Sequence, residues 1–286
     1  MIKVKLLCNW CHSNALAQSW NKMSQGNFRW NNIQILTDDS VKPDYYCLIN
    51  FTESEEFDPT KTIYMTMEPL IHIQSYPGKW NSIKKSDMLY TLPRNNIEWH
   101  LGKTYSELSR EPIIKTKLIS TVVSDLYRDP GHIKRVDFIK YLQQQDFDLD
   151  IYGRSNKLNL KNYLGPLPTY NKDAGILPYK YTIACENSSE KGYFTEKIVD
   201  AILGECLCFY WGCPNITEYL NEMTYIRLDL DDFQKSYQII KNAIATNQWE
   251  VRLTAIKKAK YKILNELQFF PTLARICNSF HKPNNH

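Results

Sequence analysis

The chain has 286 residues, with 35 Lys and Arg against 31 Asp and Glu and a formal net charge of +4. Phosphate neutralisation needs a concentrated basic surface rather than so slight a global excess, and nucleic acid is not expected as a partner. With 43 % hydrophobic and 23 % charged residues, disorder is excluded as the main state, and the length suits one large domain or two of about 130–150 residues.

Chain order begins with Ile2 to Cys8, a β-rich run too short and too quickly followed by polar residues to be a signal-peptide core. No uncharged apolar run approaches the roughly 18–20 residues needed to cross a bilayer. The expectation is a soluble, cytoplasmic chain without a transmembrane segment, any native anchor lying outside it, and with its eight cysteines reduced. Cys8-Asn9-Trp10-Cys11-His12 has the spelling of a haem-attachment or redox pair. It is read instead as a strand end entering a loop, because no export signal precedes it and the pattern continues far beyond a thioredoxin-sized unit. No second Cys/His pair at finger spacing and no His-Glu-x-x-His follows, so zinc is not expected.

Asn14 to Met23 carries apolar residues at helical intervals, and Trp30 to Leu36, Asp44 to Phe51 and Lys61 to Met67 read as strands. A short helix from Lys79 to Lys85 and a strand from Asp87 to Leu92 follow. Gly102 to Lys115 loses its period and is the best linker candidate. A second series starts with a strand from Lys117 to Ser124, a helix from Gly131 to Gln145 and a strand from Asp148 to Tyr152. Asn156 to Gly175 reads as a polar loop. Then come a strand at Tyr181 to Cys185, a helix at Thr195 to Leu203, strands at Cys206 to Trp211 and Tyr225 to Leu230, and helices at Asp231 to Thr246 and Trp249 to Gln268. Alternating strands and helices predict α/β structure with parallel sheets, arranged as two facing lobes with a cleft between them. Residues 1–110 form the first lobe, 111–250 the second, and 251–286 a C-terminal helical segment.

Chemistry concentrates in Tyr179 to Ala201. A buried strand runs into Glu186-Asn187, a loop pivots on Gly192, and Thr195 or its neighbour caps a helix whose first turn holds Glu196 and Lys197. A helix N-terminus suits a diphosphate, and a lysine there works against the helix dipole unless an anion justifies it. The plain alternative is a capped helix with a solvent lysine. The Lys257 to Lys262 cluster reads as a solvated helix face.

This segment, with Tyr210-Trp211-Gly212-Cys213-Pro214 after it, resembles the donor-binding motif of the α-1,3/1,4-fucosyltransferases of glycosyltransferase family 10. Val122-Val123-Ser124 followed by Lys134-Arg135-Val136-Asp137, and Asp150-Ile151-Tyr152-Gly153-Arg154, resemble further family segments, as do Met67-Glu68-Pro69-Leu70-Ile71-His72 and Ser86-Asp87 in the first half. The sequence departs from the family in placing Pro69 directly after Glu68, and in Cys185 and the Glu205-Cys206-Leu207-Cys208 stretch. The resemblance implies two Rossmann-like lobes of the GT-B type, with a nucleotide sugar held by the second lobe and an acceptor facing the first. It implies inverting transfer of L-fucose from GDP-fucose to a hydroxyl of a glycan or glycoprotein.

On that reading Glu68 is the catalytic base, with His72 as second choice, while Glu53, Glu55 and Glu56 look like a solvated loop cluster. Arg135 and Lys197 hold the diphosphate, Glu196 the ribose hydroxyls, and Asn187, Tyr193 and Glu186 contact the donor. No metal and no other cofactor is expected, since these cations can do the electrostatic work. The Asp-x-Asp spellings at Asp148 to Asp150 and Asp229 to Asp231 fall at element boundaries. Two alternatives remain: another donor such as UDP-xylose, because the motif reads diphosphate and ribose more surely than base or hexose, and a non-catalytic glycan- or nucleotide-binding protein on a transferase scaffold.

Overall fold

The computed structural model describes residues 1–75, 77–80 and 83–281. The chain forms two compact units, one of Met1–Glu98, Thr104–Ser109 and Leu264–His286, the other of Trp99–Lys103 and Arg110–Ile263.

In the first unit, β1 (Ile2–Cys8), α1 (Ser13–Trp20), β2 (Arg29–Trp30), β3 (Ile33–Ile35), β4 (Tyr45–Ile49), β5 (Thr62–Met65), α2 (Leu70–Ser75), α3 (Pro77–Trp80), β6 (Tyr90–Thr91) and most of α4 (Tyr105–Arg110) follow one another. The sheet order is β2-β3-β1-β4-β5-β6, parallel except for the β2–β3 pair. The ends of β1 and β4 and Ile63 to Met65 of β5 are apolar on both faces and buried, which is how strands in the middle of a covered parallel sheet read.

The second unit runs β7 (Lys117–Val122), α5 (Pro130–Gln144), β8 (Asp150–Tyr152), β9 (Tyr163–Gly165), α6 (Asp173–Ile176), β10 (Tyr179–Cys185), α7 (Glu196–Leu203), β11 (Leu207–Trp211), β12 (Tyr225–Arg227), α8 (Phe233–Ala245) and α9 (Gln248–Lys262). Its sheet is wholly parallel, in the order β12-β11-β10-β7-β8-β9. From β7 the chain winds outward through β8 and β9, then returns to β10 and winds the other way, so the connections after β7 and β10 diverge and leave a crevice at the strand ends. Each unit is Rossmann-like, as the alternation of strands and helices predicts.

The differences from expectation are local. The loop expected over 156–175 contains β9 and α6, elements of three and four residues that are too short to show a period. The linker expected at 102–115 holds α4. Of the helix expected at 79–85, residues 81 and 82 lie outside the described residues, α3 ends at Trp80, and Lys85–Asp87 is a 3₁₀ turn. The last predicted helix breaks at a π-helical turn, Ile263–Leu267, and an unexpected helix follows, α10 (Phe269–Phe280). Pro271 is compatible with that helix because it sits in the first turn, where backbone N–H groups have no partner one turn back. Gln268 caps it by accepting a hydrogen bond from Phe270 N. Residues 251–286 are therefore not one segment: α9 belongs to the second unit and α10 to the first.

Candidate functional site

A pocket of about 390 Å³ opens at the reversal point of the second sheet. Val122 to Leu126 line it from the end of β7, Gly153 and Arg154 from the end of β8, and Asn187 from just beyond β10. His132 and Arg135 come from the first half of α5, and Glu196 and Lys197 from the first turn of α7. Lys172 comes from the segment between β9 and α6. Against the acids Asp125 and Glu196 stand Arg135, Arg154, Lys172 and Lys197, so the lining carries a formal excess of two positive charges suited to an anionic group.

The crevice depends on a close backbone approach. A Cβ on Gly131 would lie 2.0 Å from Asn187 O, so only glycine lets the start of α5 meet the loop after β10. Across that contact Arg135, 5 % exposed, donates from Nη1 to Asn187 Oδ1 at 2.8 Å and from Nη2 to Ser124 Oγ at 2.6 Å. Its Nε is buried without a partner among the described residues. Burial presses the guanidinium pKa downward, but arginine remains cationic at neutral pH.

On the other side, Gly192 at φ +73° turns the loop toward α7. Thr195 caps that helix, its hydroxyl accepting from Lys197 N. Glu186 is fully buried and spends both carboxylate oxygens on this start: Oε1 accepts from Thr195 N at 2.9 Å, and Oε2 from Thr195 Oγ1 at 2.7 Å and Lys197 Nζ at 3.3 Å. Lys197 Nζ also donates to Thr195 Oγ1 at 3.1 Å. The lysine is thus held at the pocket by a buried counter-charge, which accounts for a cation at the unfavourable end of a helix.

Glu196 is gripped from two sides, its Oε1 lying 3.2 Å from Lys172 Nζ and 3.5 Å from Lys197 Nζ. Burial alone would raise its pKa, but the two lysines more than offset this and hold it well below the usual carboxylate range. Lys172 Nζ lies 3.0 Å from the buried carboxylate of Asp200, whose Oδ1 accepts from His100 N at 2.7 Å. Burial opposes the charge on Lys172, and Glu196 and Asp200 overcome it, so its pKa is raised.

Of the residues expected at a donor site, Arg135, Asn187, Glu196 and Lys197 line one pocket, while Tyr193, 3 % exposed, and Glu186 are buried beside it. Sequence reasoning missed Lys172, Asp200 and His132. Lys172 lies in a segment read as loop, and only folding brings it to Glu196, whereas Asp200 stands one turn after Glu196 on α7. Glu68 and His72 are on the first unit. Glu68 is half-buried three residues beyond β5, its backbone N donating to Thr66 Oγ1 at 3.3 Å. The turn is braced by Asn50, also missed, which is 2 % exposed at φ +64° and accepts from Met67 N at 2.9 Å.

The Asp-x-Asp spellings lie elsewhere: Asp150 Oδ2 accepts from Tyr179 OH at 2.6 Å and Lys117 Nζ at 3.1 Å, and Asp231 pairs with Lys134. Among the described residues one group, His12, Asp39 and Glu55, has the spacing to hold a metal ion, and Lys5 Nζ already lies 3.0 Å from Asp39 and 2.9 Å from Glu55. No helix among the described residues is long and apolar enough to cross a membrane.

Comparison with known proteins decides the family. The family model described as Glycosyltransferase family 10 (fucosyltransferase) C-term matches residues 113–284, more than half of the chain. This chain belongs to glycosyltransferase family 10. The family 10 match takes in β7 to α10, and so every residue named around the pocket except His100. An alpha-(1,3)-fucosyltransferase, FucT, of Helicobacter pylori is 31 % identical over 84 residues, which is 29 % of this chain and 17 % of that protein. The fold is similar to that of a crystal structure of an alpha1,3-fucosyltransferase, at TM-score 0.54 and 16 % identity over 94 % of this chain and 91 % of the other. A glycosyltransferase from Rickettsia africae ESF-5 matches at TM-score 0.54 and 10 % identity, over 97 % of both chains. The fold class is therefore the two-unit α/β arrangement of GT-B glycosyltransferases.

Proposed function

We propose that this family 10 chain is an inverting glycosyltransferase that moves L-fucose from GDP-fucose to a hydroxyl of a glycan acceptor. The observation that carries the reading is the cationic pocket at the sheet reversal, where Arg135 and Lys197 are held by Asn187, Ser124 and Glu186. The donor diphosphate lies against these two cations, Glu196 takes the ribose hydroxyls, and Asn187 aligns Arg135 while touching the donor. Glu186 acts through Lys197 and Thr195.

In the reaction Glu68 accepts the proton of the acceptor hydroxyl as its oxygen attacks the anomeric carbon opposite the leaving group. The bond from that carbon to the diphosphate oxygen breaks, and the electron pair leaves on GDP. Arg135 and Lys197 stabilise the charge that develops there, with no solvent reorganisation because their own partners already fix them. An arginine forks onto two phosphate oxygens while the lysine acts as a point charge.

The test is hydrolysis and transfer with GDP-fucose, UDP-xylose and other nucleotide sugars. GDP-fucose should be the donor that turns over, and turnover with another sugar nucleotide alone would reassign it. Arg135→Ala and Lys197→Ala should each lose about 10²–10³ in kcat. If both stay within about twofold of wild type in turnover and donor affinity, the site is misassigned. Glu68→Gln should keep donor binding and lose transfer, and full activity in that variant would remove Glu68 as the base.

A further inference from the structure

His132 sits in the first turn of α5, three residues before Arg135, and lines the donor pocket. It is 3 % exposed, and neither ring nitrogen makes a hydrogen bond among the described residues. Nδ1 faces the carboxylate of Asp129 at 3.1 Å, a contact that becomes an ion pair only when the ring is protonated. A buried polar ring with unused hydrogen-bonding atoms is costly, and in a pocket a ligand is the natural partner for them.

We propose that His132 is a phosphate ligand of this pocket, uncharged before the donor binds and protonated with it, so that binding a nucleoside diphosphate takes up a proton. In the bound state Nε2–H donates to a phosphate oxygen, and Nδ1–H points back to Asp129. The proposal rests on the diphosphate reading of the pocket and adds to Arg135 and Lys197 a further cation, one that exists only when the anion is there to justify it.

The surroundings decide the direction. Burial first, then Arg135 and more weakly Arg128, disfavour a charged ring, while Asp129 and Asn187 favour it, and the balance lowers the pKa to about 4. Asp125 and Arg154 also line the pocket, from the ends of β7 and β8, and Lys197 and Glu196 line it from α7, with Glu196 already engaged by Lys172. A diphosphate adds at least two negative charges beside Arg135 and the ring, which reverses the balance and raises the pKa. Between about pH 4 and the raised value, binding consumes protons, and affinity climbs as pH falls from 8 to 6.

Isothermal titration calorimetry with GDP-fucose tests this, because a diphosphate capped at both ends has no group of its own that titrates near neutrality. Titrations at pH 6.5 in buffers of different ionisation enthalpy should show proton uptake by the wild type. His132→Asn should bind without uptake, about tenfold or more weakly than wild type at pH 6 and nearly as well at pH 8. Asp129→Asn, which keeps the ring, should bind with reduced uptake. An absence of uptake in the wild type, or uptake unchanged in His132→Asn, overturns the proposal, as does an affinity loss in His132→Asn that is the same at both pH values. Failure of the wild type to bind GDP-fucose or GDP at all would instead overturn the donor reading.

Discussion

At the scale of single residues, Arg135, Lys172, Glu196 and Lys197 are each tied to an opposite charge or a fixed dipole. Lys172 shows what such a tie does. Its Nζ lies between Glu196 at 3.2 Å and Asp200 at 3.0 Å, and Asp200 is 1 % exposed. Replacing Lys172 with Met leaves a buried carboxylate without its counter-charge, a change that costs about 3–5 kcal/mol when one partner of a buried pair is lost. Lys172→Met should therefore lower the thermal midpoint and raise KM for the donor through the freed Glu196, and Lys172→Arg should restore most of both. A melt and a donor titration on the two variants check it.

His132 adds a pH dependence to folding itself. Its pKa is about 4 in the folded chain against an ordinary value of 6.5, so the folded state holds fewer protons than the unfolded one between these values. Stability is unaffected above about pH 6.5 and falls as pH drops toward 4, by up to about 3 kcal/mol. His132→Asn should flatten that part of the curve of denaturation midpoint against pH. Glu196 works in the acidic range as well: its folded pKa is depressed, so its contribution is complete above the unfolded carboxylate value and is lost as pH falls through the folded one.

At the scale of elements, the decisive feature is how closely α5 approaches the loop after β10. Gly131→Ala would place a methyl group 2.0 Å from Asn187 O, and both sides of that contact are backbone, so the helix must move. Overpacking of this kind costs about 1–3 kcal/mol. Because Arg135 and Asn187 lie on opposite sides of the contact, the displacement should also weaken donor binding more than the stability loss alone explains. Calorimetric melting and donor titration on Gly131→Ala, compared with an alanine at exposed Gly78, measure both effects.

Sequence and structure agree best where an element has a strong period or a buried apolar run. The run from Tyr179 to Cys185 is a central strand, and the Thr195 cap opens α7 as its sequence predicts. They disagree at β9, α6 and α10. The first two are too short to carry a pattern, and α10 begins in Phe269-Phe270-Pro271, where proline obscures a helix that its first-turn position permits.

At the scale of the whole molecule, the chain returns to its first unit after completing the second. Phe269, Phe270 and Leu273 of α10 are almost fully buried, and Phe269 meets Trp20 edge-on at 4.7 Å. Arg94 ties the same end of the chain by donating to Leu267 O at 2.7 Å and Thr272 Oγ1 at 3.1 Å. Burying a large apolar side chain contributes about 1.5–3 kcal/mol, so losing these three would remove a large share of the stability of a unit this size. A chain ending at Ile263 should keep protection of β7 to β12 and lose it in β1 to β6. Hydrogen exchange by mass spectrometry reads the two sheets separately, and equal protection in both forms would show that α10 is dispensable.

Aromatic residues make up 13 % of the chain, and burial accounts for part of them at this scale. Tyr64, Tyr179, Tyr181, Tyr210, Phe209 and Trp99 are among the largest fully buried side chains, so these rings are core rather than sugar platform. Composition alone leaves these uses open, because a flat amphipathic ring satisfies each of them equally.

What the sequence determined by itself was local: strong runs such as the strand from Tyr179 to Cys185, the α/β alternation, and the Thr195 cap that opens α7. Such features depend on neighbours within one turn or one strand, and their residue types record them directly. The tertiary structure alone decided which charges meet. Lys172 reaches Asp200 across 28 positions of sequence, and Arg135 reaches Asn187 across 52. It also decided that Glu186 faces inward to hold Lys197, and that His132 is buried with its hydrogen-bonding atoms unused. Burial and long-range pairing follow from the sheet reversal that brings β7 beside β10, and no window of sequence contains both strands.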